Sequence, residues 1–152
     1  MVPGEASAVS KLILNSFSEF ISSEYTAEGI VEFKKFVAPE ALNRRIAGNH
    51  FIQVAEFDRK LIGMIEVRDN NHVALLFVDK AYQRHGVAKG LLQSALADAR
   101  AANSELSRVT VNSSRYGVTA YQKFGFRQTG PERTVNGIAF IPMAMQLDNE
   151  DG

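Results

Sequence analysis

Apolar residues recur at helical spacing through residues 7–21, at Val9, Leu12, Ile13, Phe17, Phe20 and Ile21. That pattern predicts a helix with one buried stripe, and Ser7 stands where an N-cap would. A second helix is expected after Thr26. Gly29 weakens it, but Ile30, Phe33, Phe36 and Val37 keep the period. Pro39 suits the first turn of a third helix over 39–47, ended by Gly48-Asn49. The pattern then changes. Residues 51–57 and 61–67 read as strands joined by Asp58-Arg59-Lys60, and Asp69-Asn70-Asn71 makes another turn. Residues 73–78 are apolar without alternation, as in a strand covered on both faces. A helix over 87–100 carries Val87, Leu91, Leu92, Ala95, Leu96 and Ala99 on one face, with Lys89, Gln93, Asp98 and Arg100 outside it. Gly90 inside that helix costs about 1 kcal/mol relative to Ala, so it is expected to permit a close approach to the sheet or to a ligand.

The last third continues the alternation of elements. Residues 107–112 form a strand, and Ser113 or Ser114 caps a short helix with Tyr116, Ala120, Tyr121 and Phe124 at helical spacing, closed by Gly125. Residues 126–134 and 138–147 read as an antiparallel pair around Asn136-Gly137, a type I′ hairpin signal. The order α-α-α-β-β-β-α-β-α-β-β predicts a mixed sheet flanked by helices, α/β or α+β in class. The first crossover, from 73–78 to 107–112, should set two parallel strands side by side, and the second runs on to 126–134.

Composition narrows the function classes. The 152 residues suit one domain, taken as 1–147, with 148–152 as an acidic C-terminal tail. Hydrophobic residues make up 45%, enough for a sizeable core. Lys plus Arg and Asp plus Glu balance at 17 each, so nothing global points to nucleic acid or to a membrane surface. The N-terminus lacks the basic and apolar regions of a signal peptide, and no apolar run approaches the ~18 residues of a membrane span, so a cytoplasmic location is expected. There is no cysteine, which excludes disulfides, thiolate nucleophiles and Cys-based zinc sites. The three histidines lack metal-ligand spacing, so no metal is expected.

Between the apolar strand and the helix lies Gln83-Arg84-His85-Gly86-Val87-Ala88-Lys89-Gly90. A helix start leaves about four N–H groups unpaired, and its dipole favours negative charge. Gly86 lets the backbone turn and approach, and Arg84 and Lys89 add cations. The stretch therefore reads as a pyrophosphate site. Leu91 after Gly90 rules against a P-loop, and Gly86 and Gly90 do not make a GxGxxG fingerprint. Without the rest of the chain, the two glycines could equally be packing residues of a βα turn.

Two matches together carry a family resemblance. Gln83, Gly86 and Ala88 fit an acetyl-CoA loop of Gln or Arg, two residues, Gly, one residue, then Gly or Ala. In register behind it come Val111-Asn112-Ser113-Ser114-Arg115-Tyr116 and Ala120-Tyr121-Gln122-Lys123-Phe124-Gly125-Phe126. Over about residues 50–147 the chain resembles the GCN5-related N-acetyltransferase (GNAT) superfamily, with its acyl-CoA N-acyltransferase fold. One departure stands out: the family's first strand is short or missing here, because the helical pattern begins within a few residues of Met1.

The resemblance implies acetyl-CoA as cosubstrate and a small-molecule or peptide amine as acceptor. Arg84, His85, Gly86, Val87, Ala88 and Lys89 would meet the pyrophosphate, with Gln83 opening the loop. Phe77 and Val78 would pair with the pantetheine amides where a bulge splays the strand from its neighbour, and an N–H near Val78 would face the thioester oxyanion. Asn112 would line the opposite wall and Lys123 would meet the nucleotide phosphates. Tyr121 would protonate the leaving thiolate, a phenol of pKa ~10 being protonated at neutral pH. His72, Glu66, Glu24 or an ordered water would take the proton of the amine. Without cysteine, direct attack in a ternary complex is the simpler route.

Plainer readings stand beside these. Tyr121 could be simple core, Asn112 a helix cap and His72 a structural strand end. His50 reads as surface, and Lys34-Lys35 and Arg44-Arg45 as solvated helix faces. Phe20, Tyr25, Phe33 and Phe36 read as core, with a subset walling the acceptor pocket. A CoA-binding module without turnover is the alternative function, and the end hairpin and N-terminal helices offer faces for a homodimer.

Overall fold

The computed structural model describes residues 1–83 and 85–147. Arg84 and the tail 148–152, both singled out above, lie outside the described residues. Helix α1 (Ala6–Phe20) buries Val9, Leu12, Ile13 and Phe17. Its N-cap is Glu5 rather than Ser7, and no side chain caps it. The Glu5 carboxylate instead accepts the Val2 N–H at 2.9 Å. Helix α2 (Ala27–Phe36) is capped by Thr26, whose hydroxyl accepts from the Gly29 N–H. Helix α3 (Pro39–Ile46) starts on its proline. No strand precedes α1 among the described residues, so the sheet begins at β1 (His50–Phe57).

Strands β1 and β2 (Lys60–Arg68) form a hairpin whose turn residues Asp58 and Arg59 both take positive φ, as a type I′ turn requires. Strand β3 (His72–Val78) pairs antiparallel with β2, and helix α4 (Val87–Ala102) leads to β4 (Arg108–Ser113), parallel to β3. Helix α5 (Val118–Phe124) ends on Gly125 at φ 107°. The run 126–134 is two strands rather than one, β5 (Arg127–Gln128) and β6 (Arg133–Val135). Between them, Gly130-Pro131 interrupts the extended backbone, and proline has no N–H for a ladder. Both pair with β7 (Ile138–Gln146). The sheet order is β1-β2-β3-β4-β7-β5, with β6 on β7. The second crossover therefore does not end beside β4, because β7 pairs with β4 along its whole length.

Two apolar layers cover the sheet. Helices α1–α3 enclose Phe17, Phe33, Val37, Leu42, Ile52, Met64 and Leu75 on one face. Helix α4 and the α5 segment enclose Ile65, Val67, Val73, Leu91, Val111, Tyr121 and Phe126 on the other. At Gly63 on β2, helix α4 and the sheet approach closely. A Cβ there would meet Leu91 Cδ1 at 3.0 Å and Val87 Cγ1 at 3.1 Å. Gly90 does not have that role: open space lies in front of it.

Gly29 has a sharper constraint. A Cβ there would fall well inside van der Waals contact distance of the Gly137 carbonyl oxygen, in the turn between β6 and β7. Alanine gains about 1 kcal/mol over glycine in a helix interior, but overpacking typically costs 1–3 kcal/mol and here the obstacle is backbone. Gly29→Ala should therefore lower stability by roughly 1–2 kcal/mol. Urea unfolding monitored by circular dichroism checks the sign, and a stabilised variant would refute the contact.

Candidate functional site

The site begins with a failure of pairing. Strands β3 and β4 are bonded only at His72–Thr110 and Val73–Val111, and then separate. The register of β3 on β2 steps at the same place: Val67 pairs with Val73 but Glu66 pairs with Leu75, leaving Ala74 as a bulge. One inserted residue turns the following side chains over. Val73 accordingly faces the α4 layer and Leu75 the α1 layer, although two residues apart. Beyond the bulge the backbone has a free side. The Asp79 N–H donates to Ile62 O at 2.8 Å, so residues 75, 77 and 79 turn their polar groups toward β2. Leu76 and Val78 turn theirs away from it, where β4 has departed. Phe77, expected to share this edge, contributes its side chain, packed 6.2 Å from the Phe33 ring. Val78 O accepts from Gln83 Nε2 at 3.2 Å and from Ser16 Oγ at 3.4 Å.

Strands that part leave a cleft of about 1270 Å³, which runs from the start of α4 to α2 and α3. At one end Gly86 is the N-cap of α4 at φ 80°. Nothing lies near its Cβ position, so glycine is required for conformation, not for space. The Gly90 N–H returns to Gly86 O, and the N–H groups of Val87, Ala88 and Lys89 precede the first intrahelical bond. The first turn has no acidic residue. Gly86, Val87, Ala88 and Lys89 line the cleft, while His85 is exposed in the turn and does not. Asn112 and Lys123, both exposed, line the facing wall. This end can seat an anion of pyrophosphate size.

The α1–α2 connection spans the splay. Glu24 accepts the Arg115 and Tyr116 N–H groups at 2.7 and 3.2 Å. The Phe20 and Tyr116 rings stack at 4.7 Å, and the Thr26 N–H donates to Gly137 O at 3.0 Å. Tyr116, read from the sequence as part of the short helix, precedes α5 and crosses the gap: its hydroxyl donates to Gln83 Oε1 at 2.8 Å. Ser114 caps that approach, its hydroxyl accepting from the Gly117 N–H at 3.0 Å.

Four groups near the cleft have the chemistry for proton transfer. Tyr121 is buried against Phe124 and Phe126, lines the cleft, and its hydroxyl has no hydrogen-bond partner among the described residues. Burial pushes its pKa up, so the phenol holds its proton. His72 lines the cleft and shares a 2.7 Å bond between Nδ1 and Thr110 Oγ1. Burial, then Arg68 and His50, lower its pKa to about 4, which makes it a poor acceptor for an ammonium proton. Glu66 is committed elsewhere. It is 0% exposed, accepts a fork from Arg45 Nε at 2.6 Å and Nη2 at 3.0 Å, and has His50 Nδ1 at 2.6 Å. Arg45 also donates to Phe36 O and lies over the Phe36 ring at 3.7 Å. Glu24 is occupied by the two N–H groups above. The Arg45–Glu66–His50 cluster and the Tyr116–Gln83 bond were not legible in the sequence. Their partners are 16 to 33 residues apart, and Arg45 and His50 looked like surface.

No curated protein matches the sequence. Among solved structures, a GCN5-related N-acetyltransferase from Rhodopseudomonas palustris, also described as an aminotransferase of class II, superposes with a TM-score of 0.82. It is 18% identical, over 97% of this chain and 92% of that one. The PaiA N-acetyltransferase of Thermoplasma acidophilum, in complex with coenzyme A, gives 0.79 at 19% identity, over 97% and 96% of the two chains. An aminoglycoside 6'-N-acetyltransferase complexed with coenzyme A gives 0.66 at 13% identity, over 95% and 92%. These likenesses concern the fold. The sequence itself matches the model of an acetyltransferase (GNAT) domain over residues 21–147, and so the chain belongs to the GNAT acetyltransferase family.

Proposed function

We propose that this protein transfers an acetyl group from acetyl-CoA to a primary amine by direct attack. The observation that carries the reading is the shared cleft: an unpaired strand edge at Leu76 and Val78 leads to the free first-turn N–H groups of α4, with Tyr121 on the wall. The donor set fits coenzyme A. Val87, Ala88 and Lys89 N–H groups suit the pyrophosphate, the Leu76–Val78 edge suits the pantetheine amides, and Asn112 and Lys123 line the facing side. The bound thioester supplies the activated acyl carbon.

The chain's own residues supply orientation and protons. A Leu76 or Val78 N–H is suited to the oxyanion, beside the Phe77 and Tyr121 side chains that line the cleft. Tyr121 protonates the departing thiolate. The three candidate bases are otherwise engaged or too weak, which supports entry of the amine in its neutral form and loss of its proton to water in the open cleft.

Coenzyme A at about 100 times its Kd should stabilise the protein by about 2.7 kcal/mol, whereas NAD and ATP should not shift Tm. A shift with NAD or ATP but none with coenzyme A would overturn the reading. Tyr121→Phe should lower kcat by roughly 10²–10⁴ while the coenzyme A shift of Tm persists. Wild-type protein that binds coenzyme A yet acetylates no amine would instead be a binding module. The pH profile tests the missing base. His72, with its pKa at about 4, stays neutral across the assay range, so log kcat/KM should climb with pH to the amine's own pKa. His72→Gln should leave that slope unchanged. A wild-type break near pH 6–7 that His72→Gln abolishes would restore His72 as the base.

A further inference from the structure

The end of the cleft away from α4 has a one-sided charge. Lys35, Arg44, Arg45 and Arg68 line it, and Glu32 is the carboxylate among its described lining residues. Their partners decide what remains available to a ligand. Arg45 is neutralised by the buried Glu66. Lys35 and Glu32 face each other as an exposed pair at 3.7 Å, and Arg68 has Asp69 at 3.9 Å. Arg44, exposed in the last turn of α3, has no hydrogen bond or ion pair among the described residues. Glu24, which could draw a cation toward the α1–α2 connection, is held by two backbone N–H groups. An acceptor with a second ammonium group would thus meet guanidinium and ammonium groups and find no free carboxylate. An acceptor with a carboxylate would meet a guanidinium whose planar fork is free to bind it.

Building on the proposed acetyl transfer, we propose that the acceptor is a primary amine that also carries a carboxylate, and that Arg44 binds this carboxylate and sets the specificity. Glu32, the carboxylate among the described lining residues, is paired with Lys35, and the partly exposed Phe36 ring, one face of which Arg45 covers, gives the aliphatic part of such an acceptor its remaining surface to cover. Polyamines and other polycations are selected against by the same residues.

The test uses ω-amino carboxylates of several chain lengths, each beside its carboxamide and the diamine of the same length, so that one end changes from negative to neutral to positive. Steady-state acetylation by the wild type should give the highest kcat/KM for the carboxylate at the best length. Arg44→Glu should lower that value about ten-fold and raise the value for the diamine, reversing their order. The wild-type preference should shrink as salt is raised to about 0.5 M. A wild type that prefers the diamine or the carboxamide overturns the inference, as does an order that Arg44→Glu leaves unchanged. So does coenzyme A binding with no acetylation of any member of the series. The coenzyme A shift of Tm, measured in both proteins, separates the cases: its loss in the wild type refutes the acetyl-transfer reading itself, and its retention in Arg44→Glu shows that the variant is folded.

Discussion

The structure depends on one interrupted ladder. A parallel pair of strands normally satisfies all of its facing backbone groups, and burying an unpaired N–H or C=O costs about as much as a lost hydrogen bond. Strands β3 and β4 give up that pairing after Val73 and Val111. The Ala74 bulge lets them do so without disturbing β2, because the extra residue is absorbed on β3 alone. The bulge also exchanges the faces of the strand. Leu75 enters the α1 layer and Leu76 the α4 layer, so both cores remain filled beside an opened edge. Polar groups exposed by the opening are partly covered by local means, since Gln83 and Ser16 both donate to Val78 O.

Keeping two diverging strands in a fixed relation needs ties across the gap, and the chain supplies them from the α1–α2 connection. Glu24, Phe20 and Thr26 reach the β4–α5 loop and the β6–β7 turn. One further contact is backbone to backbone, between Gly29 and Gly137, and it leaves no room for a Cβ at 29. The buried Glu66 performs a similar service at the other end. Its carboxylate is desolvated and therefore costly, but the fork from Arg45 and the His50 nitrogen offset much of that cost and join α3 to β1 and β2. Removing one partner would leave a buried charge unpaired, so the network acts as a unit.

Much of this protein was determined by local sequence. Helix periodicity, the Asn136-Gly137 turn, the unalternating β3 and the glycine at the start of α4 each depend on residues within a turn or two of one another. The loop and the Asn112–Tyr121 segment that pointed to the family were legible for the same reason, and the match over residues 21–147 bears out the family itself. What the sequence could not show was long-range. Ala74 is an ordinary residue until the pairing of β2 and β4 makes it a bulge. Arg45 and His50 look solvated until Glu66 is set between them, Tyr116 looks helical until it stacks on Phe20, and β7 displaces β5 from β4 only because it offers the longer ladder. Side chains read locally have propensities, but a pKa, an open strand edge or an unpartnered Arg44 depends on neighbours that only the folded chain brings within a few ångströms.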